Sequence, residues 1–361
     1  MEAFIWLVLI ILLASAFILV ITRKIRPWWK KNLSLLLVLL GIGFVSFQLL
    51  FPFHEPLKTS GQLTVITETL YFKHETAFPD YATNESQREI PVKLWLPSQS
   101  ENEQYPLIIF SHGSFGVAES NESLFLELAS HGYAIASLDH PYHSFASTLS
   151  DGQTILVDSS FFQSVINSQG SEDLQGTLER FVDWQEIRVE DINFVLDSIL
   201  QDEINQTYLE RINPQAILLA GHSLGGSAAL EVGRERADEL IGVISLEAPF
   251  FGDIQGIEGD EYLFVTEEYP LPVLHFYSDA LWGRLDEITT YEMNQRLINS
   301  QSAKFVNVHI AGSGHIGLTD LSLVTPTVTN LLDGGLNTKP AYEKLAEINQ
   351  ASLNFLENLE Y

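Results

Sequence analysis

The sequence predicts an α/β fold, a mostly parallel sheet flanked by helices, preceded by a two-helix transmembrane hairpin. Three observations carry this. After residue 100, short apolar runs of the buried-strand type alternate with segments of helical spacing. One such run, Ala216-Ile217-Leu218-Leu219-Ala220, passes through Gly221-His222-Ser223-Leu224-Gly225-Gly226 into the helix-like Ala228-Ala229-Leu230-Glu231-Val232. Two apolar runs at the N-terminus bracket a cluster of cations.

Those runs, Ala3 to Ile21 and Leu33 to Phe51, would each form a helix about 28 Å long, close to the thickness of a bilayer core. Between them lie Arg23, Lys24, Arg26, Lys30 and Lys31, with Trp28 and Trp29 as interfacial anchors. Basic loops stay on the cytoplasmic side. The expectation is a two-pass plasma-membrane anchor over residues 1–52, with residues 53–361 forming one extracellular catalytic domain. A cleaved signal peptide ending near Ala14-Ser15-Ala16 is the competing reading. Against it, Glu2 stands where a basic leader belongs and the apolar run continues past the alanines.

Next come Leu63 to Phe72 and Ile90 to Leu96, expected as antiparallel strands around a polar loop from His74 to Glu89. Pro106 to Ser111 and Tyr133 to Asp139 follow as parallel strands. Residues 144–177, rich in Ser, Gly, Asp and Gln, read as a long irregular insertion. Such a segment is either a lid over a site or disordered. Leu178 to Leu200 has helical spacing, with Phe181, Trp184, Ile187, Ile192, Val195 and Leu196 on one face. Ile241 to Leu246, Pro272 to Ser278 and Phe305 to Ile310 complete the strands.

Cysteine is absent, which excludes a disulfide framework, a thiolate nucleophile and a cysteine metal site. Removing Glu2 and the five loop cations from the chain's 47 acidic and 19 basic residues leaves 46 against 14, a formal charge of −32. That field repels nucleic acid and disfavours anionic substrates at long range, and argues for neutral, zwitterionic or cationic small molecules or lipids. A plain solubility and salt-tolerance surface is the alternative reading of the same charge, and the favoured one.

A strand turning sharply into a helix through G-x-S-x-G is a nucleophile elbow, which makes Ser223 the candidate nucleophile. Acyl transfer places negative charge on a carbonyl oxygen and needs preorganised N–H donors there. The amides of Leu224, after the nucleophile, and of Ser114, in the His112-Gly113 turn after an earlier strand, fit that requirement. His315, on Gly312-Ser313-Gly314-His315 after a late strand, is the candidate base. Two strand ends between Ser223 and His315 offer an acid, Glu247 and Asp279, and spacing does not choose between them. No cofactor is implied. His140-Pro141-Tyr142-His143 has metal-ligand spacing but no completing carboxylate, and reads better as a pocket rim. Phe250-Phe251 could line an acyl pocket.

With Phe110-Ser111-His112-Gly113, Leu128-Ala129-Ser130-His131-Gly132-Tyr133, the elbow, Val243-Ile244-Ser245-Leu246-Glu247-Ala248 and the His315 loop in this order, the chain resembles the platelet-activating factor acetylhydrolase family of the α/β-hydrolase superfamily. The family's acid, an aspartate, maps onto Glu247, one methylene longer, so the resemblance favours Glu247 and keeps Asp279 as the substitute. It implies calcium-independent cleavage of short or oxidised acyl chains from phospholipid-like esters. A general carboxylesterase, a polyester or cutinase-like hydrolase and a non-catalytic anchored ectodomain are the alternatives.

Overall fold

The computed structural model describes residues 2–98, 104–171, 173–200 and 209–359. Two helices open the chain, α1 (Glu2–Thr22) and α2 (Trp28–Leu50), packed on one another with most of their apolar side chains exposed. Both are long and apolar enough to cross a membrane. The rest is built from β1 (Val65–Glu75), β2 (Gln87–Pro97), β3 (Tyr105–Ser111), α3 (Glu122–Ser130), β4 (Ala134–Leu138), β5 (Ala146–Thr148), β6 (Thr154–Leu156), α4 (Ser159–Ser168) and α5 (Leu174–Leu200). Then follow β7 (Ile212–His222), α6 (Ser223–Glu235), β8 (Gly242–Leu246), β9 (Ile254–Glu258), β10 (Glu261–Phe264), β11 (Val273–Tyr277), α7 (Glu292–Asn299), β12 (Phe305–His309), α8 (Leu321–Val324), α9 (Pro326–Leu332) and α10 (Ala341–Glu357).

Eight strands form the central sheet in the order β1-β2-β4-β3-β7-β8-β11-β12. The β1–β2 and β2–β4 pairs are antiparallel and every later pair is parallel. Parallel strands buried on both faces read as unbroken apolar runs, because each face must be covered. Along β7, Ile217 and Leu219 point to one core while Leu218 and Ala220 point to the other. The first core is closed by α5 and α6 through Phe181, Ile192, Val195, Leu230 and Val232. The second is closed by α3 and α10 through Phe125, Leu128, Ile348 and Leu356.

Two expectations change. β1 runs on to Glu75 and β2 begins at Gln87, so the loop between them is shorter than read and contains a single helical turn, Pro79–Tyr81. The described residues of 144–177 are largely regular. They contain the β5–β6 hairpin, then α4, then the first turn of α5, which starts four residues earlier than its apolar stripe indicated. Asp158 caps α4, its Oδ1 accepting from Ser160 N at 2.8 Å and Phe161 N at 3.0 Å.

Candidate active site

β7 ends at His222 and α6 starts on the next residue, Ser223, whose φ of 52° lies in the left-handed region. The turn closes because two positions lack a Cβ. One added at Gly221 would lie 2.6 Å from the Gly225 carbonyl carbon, and one at Gly225 would lie 2.2 Å from the Ser111 carbonyl oxygen. The glycines thus let α6 press onto the sheet, setting Ser223 at the helix N-terminus, where the first backbone N–H groups have no partner within the helix.

Glu247 follows β8 and also has a positive φ, 49°. Left-handed non-glycine residues cost on the order of 1–3 kcal/mol each, and they gather at functional sites. Its N–H is held by Phe276 O at 2.9 Å. Its side chain is 1% exposed. Oε1 accepts from His315 Nδ1 at 2.8 Å and from Ser278 Oγ at 2.9 Å, and Oε2 accepts from Ser278 N. Burial pushes the His315 imidazole down, but the Glu247 hydrogen bond and charge, with the charge of Asp333, outweigh it and leave its pKa above the ordinary value.

Asp279 turns elsewhere. Its Oδ1 accepts from His309 Nε2 at 2.7 Å and its Oδ2 from Gly312 N at 2.9 Å. Of the two carboxylates open at the sequence level, the structure brings Glu247 to His315 and sends Asp279 to the start of the same loop.

Ser114, Ser223, Leu224, Glu247 and His315 all line one cavity of about 360 Å³. Its walls are apolar, with Phe181 and Trp184 from α5, Phe251, Leu281 and Tyr291. Val165, Ser168 and Gln169, from α4 and its end, close one side. Phe251 lines the cavity, whereas Phe250 packs in the core against Tyr269. A cleft of this size with a few convergent polar groups suits a small or single-chain ligand. A hydroxyl on an elbow, an imidazole held by a buried carboxylate, Leu224 in the first turn of α6 and Ser114 in the turn after β3, all around one space, are the parts acyl transfer uses.

The reading of His140 and His143 as a pocket rim is corrected. Both are fully buried and neither lines the cavity. His140 Nδ1 donates to Asp191 Oδ2 at 2.8 Å and Nε2 accepts from Ser111 Oγ at 2.8 Å, while His143 stacks on Phe161 at 3.7 Å. Burial draws the His140 pKa down to about 4, so it is neutral at physiological pH. Ligand-type atoms do gather at His74, Glu190 and Asp191. There, however, Asp191 is bound by Arg88 and His140, and Glu190 accepts from Thr76 Oγ1 and Ala77 N.

Several residues around the site escaped the sequence reading. Asp333 accepts from Ile316 N and Gly317 N, both at 2.9 Å, and from Asn337 Nδ2 at 2.6 Å. Asn337 Oδ1 in turn accepts from Gly314 N at 3.1 Å and from Lys344 Nζ at 2.5 Å. These bonds fix the loop on both sides of His315. His222 donates from Nε2 to the His315 carbonyl at 3.1 Å. Burial and then the neighbouring His315 charge hold the His222 pKa well below its ordinary value.

Residues 66–360 match the family described as platelet-activating factor acetylhydrolase, isoform II. A platelet-activating factor acetylhydrolase from Bos taurus is 24% identical over 278 residues, 73% of this chain and 59% of that protein. The chain therefore spans about three fifths of the length of that relative. The Cavia porcellus protein of the same name is 40% identical over 60 residues, 17% of this chain and 14% of that one. Among solved structures, a ferulic acid esterase from Streptomyces cinnamoneus superposes with a TM-score of 0.62 at 20% identity, covering 84% of this chain and 92% of its own. A dienelactone hydrolase-like promiscuous phosphotriesterase from metagenomic libraries gives a TM-score of 0.51 at 14% identity, covering 82% and 99%. These two likenesses establish the α/β-hydrolase fold.

Proposed function

The chain belongs to the platelet-activating factor acetylhydrolase isoform II family of hydrolases, and on that premise we propose that it is a serine hydrolase of carboxylic esters, acting on short-acyl or phospholipid-like substrates. The observation that carries this reading is the 2.8 Å contact of His315 with the buried Glu247 carboxylate, on a cavity that Ser223 shares. Ser223 attacks the ester carbonyl as His315 takes its proton. The Leu224 and Ser114 amides hold the oxyanion, and His315 returns the proton to the leaving alcohol. Water, activated by the same imidazole, then releases the acid and restores Ser223. Glu247 keeps the Nδ1–H tautomer in place and stabilises the imidazolium.

The apolar walls supplied by Phe181, Trp184 and Phe251 support an acyl chain as the bound group, with α4 as its cover. Pairing of Asp279 with His309 favours this reading over a cutinase-like site with Asp279 as the acid. The two N-terminal helices would tether the enzyme to the plasma membrane, catalytic domain outside, next to lipid esters. The test is a panel of p-nitrophenyl esters of rising chain length together with a fluorophosphonate probe. Short esters should turn over and the probe should label Ser223 alone. Turnover or labelling that persists in Ser223→Ala refutes the assignment.

A further inference from the structure

A charged cluster lies beneath the Ser111–Ser114 turn, where acyl transfer itself calls for no charge. Arg188 of α5 is fully buried. Its Nη1 donates to the His112 carbonyl and, at 3.4 Å, to Ser111 Oγ, while Nη2 reaches the Gly113 carbonyl at 3.4 Å. The same Gly113 carbonyl accepts from His112 Nδ1 at 2.7 Å. Among the described residues no carboxylate forms an ion pair with Arg188; the balancing charge is Asp191, one turn along α5, which is itself bound by Arg88 at 2.6 and 2.8 Å and by His140. Burial alone would raise the Asp191 carboxyl, but Arg88 and His140 bring it down to about 2, so it is fully ionised. Burial lowers Arg188 to about 9, which leaves it charged at neutral pH. A buried guanidinium spent on main-chain carbonyls is costly in free energy, and a hydrophobic residue of similar volume would join α5 to β3 at less cost.

We propose that Arg188 is a positioning residue for the oxyanion hole: by holding the Gly113 carbonyl, it aims the Ser114 N–H into the cavity. The two groups belong to one planar trans amide, so they point in opposite directions and fixing one fixes the other. Donors on the carbonyl also polarise the amide and strengthen its N–H as a donor. His112, neutral because burial and then Arg188 push its pKa well down, and the Gly116 N–H, at 3.1 Å, supply the other holds on the same oxygen. The buried row Arg88–Asp191–His140–Ser111 keeps Arg188 in place and neutralises it.

This inference rests on reading the Ser114 amide as an oxyanion donor, and the test separates the two. Full-length Arg188→Lys and Arg188→Met are compared with the parent and with Ser223→Ala using p-nitrophenyl acetate. Each is also assayed against a short-chain alkyl trifluoromethyl ketone, whose hemiketal oxyanion occupies the hole, and against the same ketone without fluorine. Loss of one oxyanion donor costs about 10²–10³ in kcat, so Arg188→Met should fall in that range and Arg188→Lys by about tenfold, with KM changed less than about threefold. Inhibition by the trifluoromethyl ketone should weaken in step with kcat, and the plain ketone should bind unchanged. A folded variant with parental kcat, or one that weakens both ketones and KM alike, overturns the proposal. If Arg188→Lys does not fold, Arg188 belongs to the scaffold and the proposal also falls. Full activity in Ser223→Ala would instead remove the underlying reading of the site.

Discussion

Glu247→Gln should abolish nearly all turnover, and the reason lies in how its carboxylate is divided. Oε2 takes the Ser278 N–H, a donor that cannot be turned round, while Oε1 takes His315 Nδ1 and the Ser278 hydroxyl. Glutamine offers one oxygen and one NH₂. Placing the NH₂ against the Ser278 amide would set two donors face to face in a buried site, at about 1–3 kcal/mol. The amide therefore settles with its oxygen on Ser278 N and its NH₂ on His315 Nδ1, while the Ser278 hydroxyl turns to accept. His315 is then held with its proton on Nε2, the nitrogen that must accept the Ser223 proton. The same replacement in a serine triad costs about 10⁴ in kcat, or about 5.4 kcal/mol of barrier. Asp279→Asn keeps an oxygen for Gly312 N and loses only a half-exposed pair with His309. It should change kcat by less than about tenfold and stability by about 0–1 kcal/mol. The assay is kcat on p-nitrophenyl acetate, with active sites counted by fluorophosphonate titration and folding followed by thermal denaturation. A folded Glu247→Gln within about tenfold of the parent, beside a crippled Asp279→Asn, refutes the assignment.

Three further outcomes follow from the same contacts. The raised pKa of His315 places the acid limb of the kcat/KM profile above pH 6.5, because the imidazole must be neutral to accept a proton, and Glu247→Gln or Asp333→Asn, by removing a negative charge, should move that limb to lower pH. A limb below pH 6.5 that neither substitution moves would contradict the electrostatics described. Gly225→Ala drives a Cβ to 2.2 Å from the Ser111 carbonyl oxygen, and urea denaturation should show a loss of about 1–3 kcal/mol or more; parental stability would mean that the elbow is looser than drawn. Protease added to intact cells should degrade the hydrolase domain if the basic loop is cytoplasmic, and protection until lysis would reverse the topology.

The sheet and the elbow were legible because both obey local rules. A strand buried on two faces must be apolar throughout, and a helix pressed against it must carry glycines at the contact, so the positions of Ser223, Leu224 and Ser114 could be read from their neighbours. The choice of acid was not local. Glu247 and Asp279 each follow a parallel strand of similar composition, and which one meets His315 depends on where the loop after β12 lies across the sheet end. Residues 144–177 carried readable signals beneath a polar composition. Asp151-Gly152 is a hairpin turn signal between β5 and β6, and Asp158 ahead of Ser159-Ser160-Phe161 is a helix cap.

Arg188 and Asp191 left a different trace. On α5 they occupy the same stripe as Phe181, Trp184, Ile192 and Val195, where an amphipathic helix buries its apolar side. An opposite-charge pair three residues apart on a core-facing stripe is expensive unless something else in the fold uses it. The sequence therefore contained the anomaly, but not the partners that explain it. Those partners are Arg88 from β2, 103 positions from Asp191, and the His112 and Gly113 carbonyls, 76 and 75 positions from Arg188. They meet only once β3, β2 and α5 are assembled around the end of the sheet. There the charge that disturbs the helical pattern becomes a fixed support under the turn that carries Ser114.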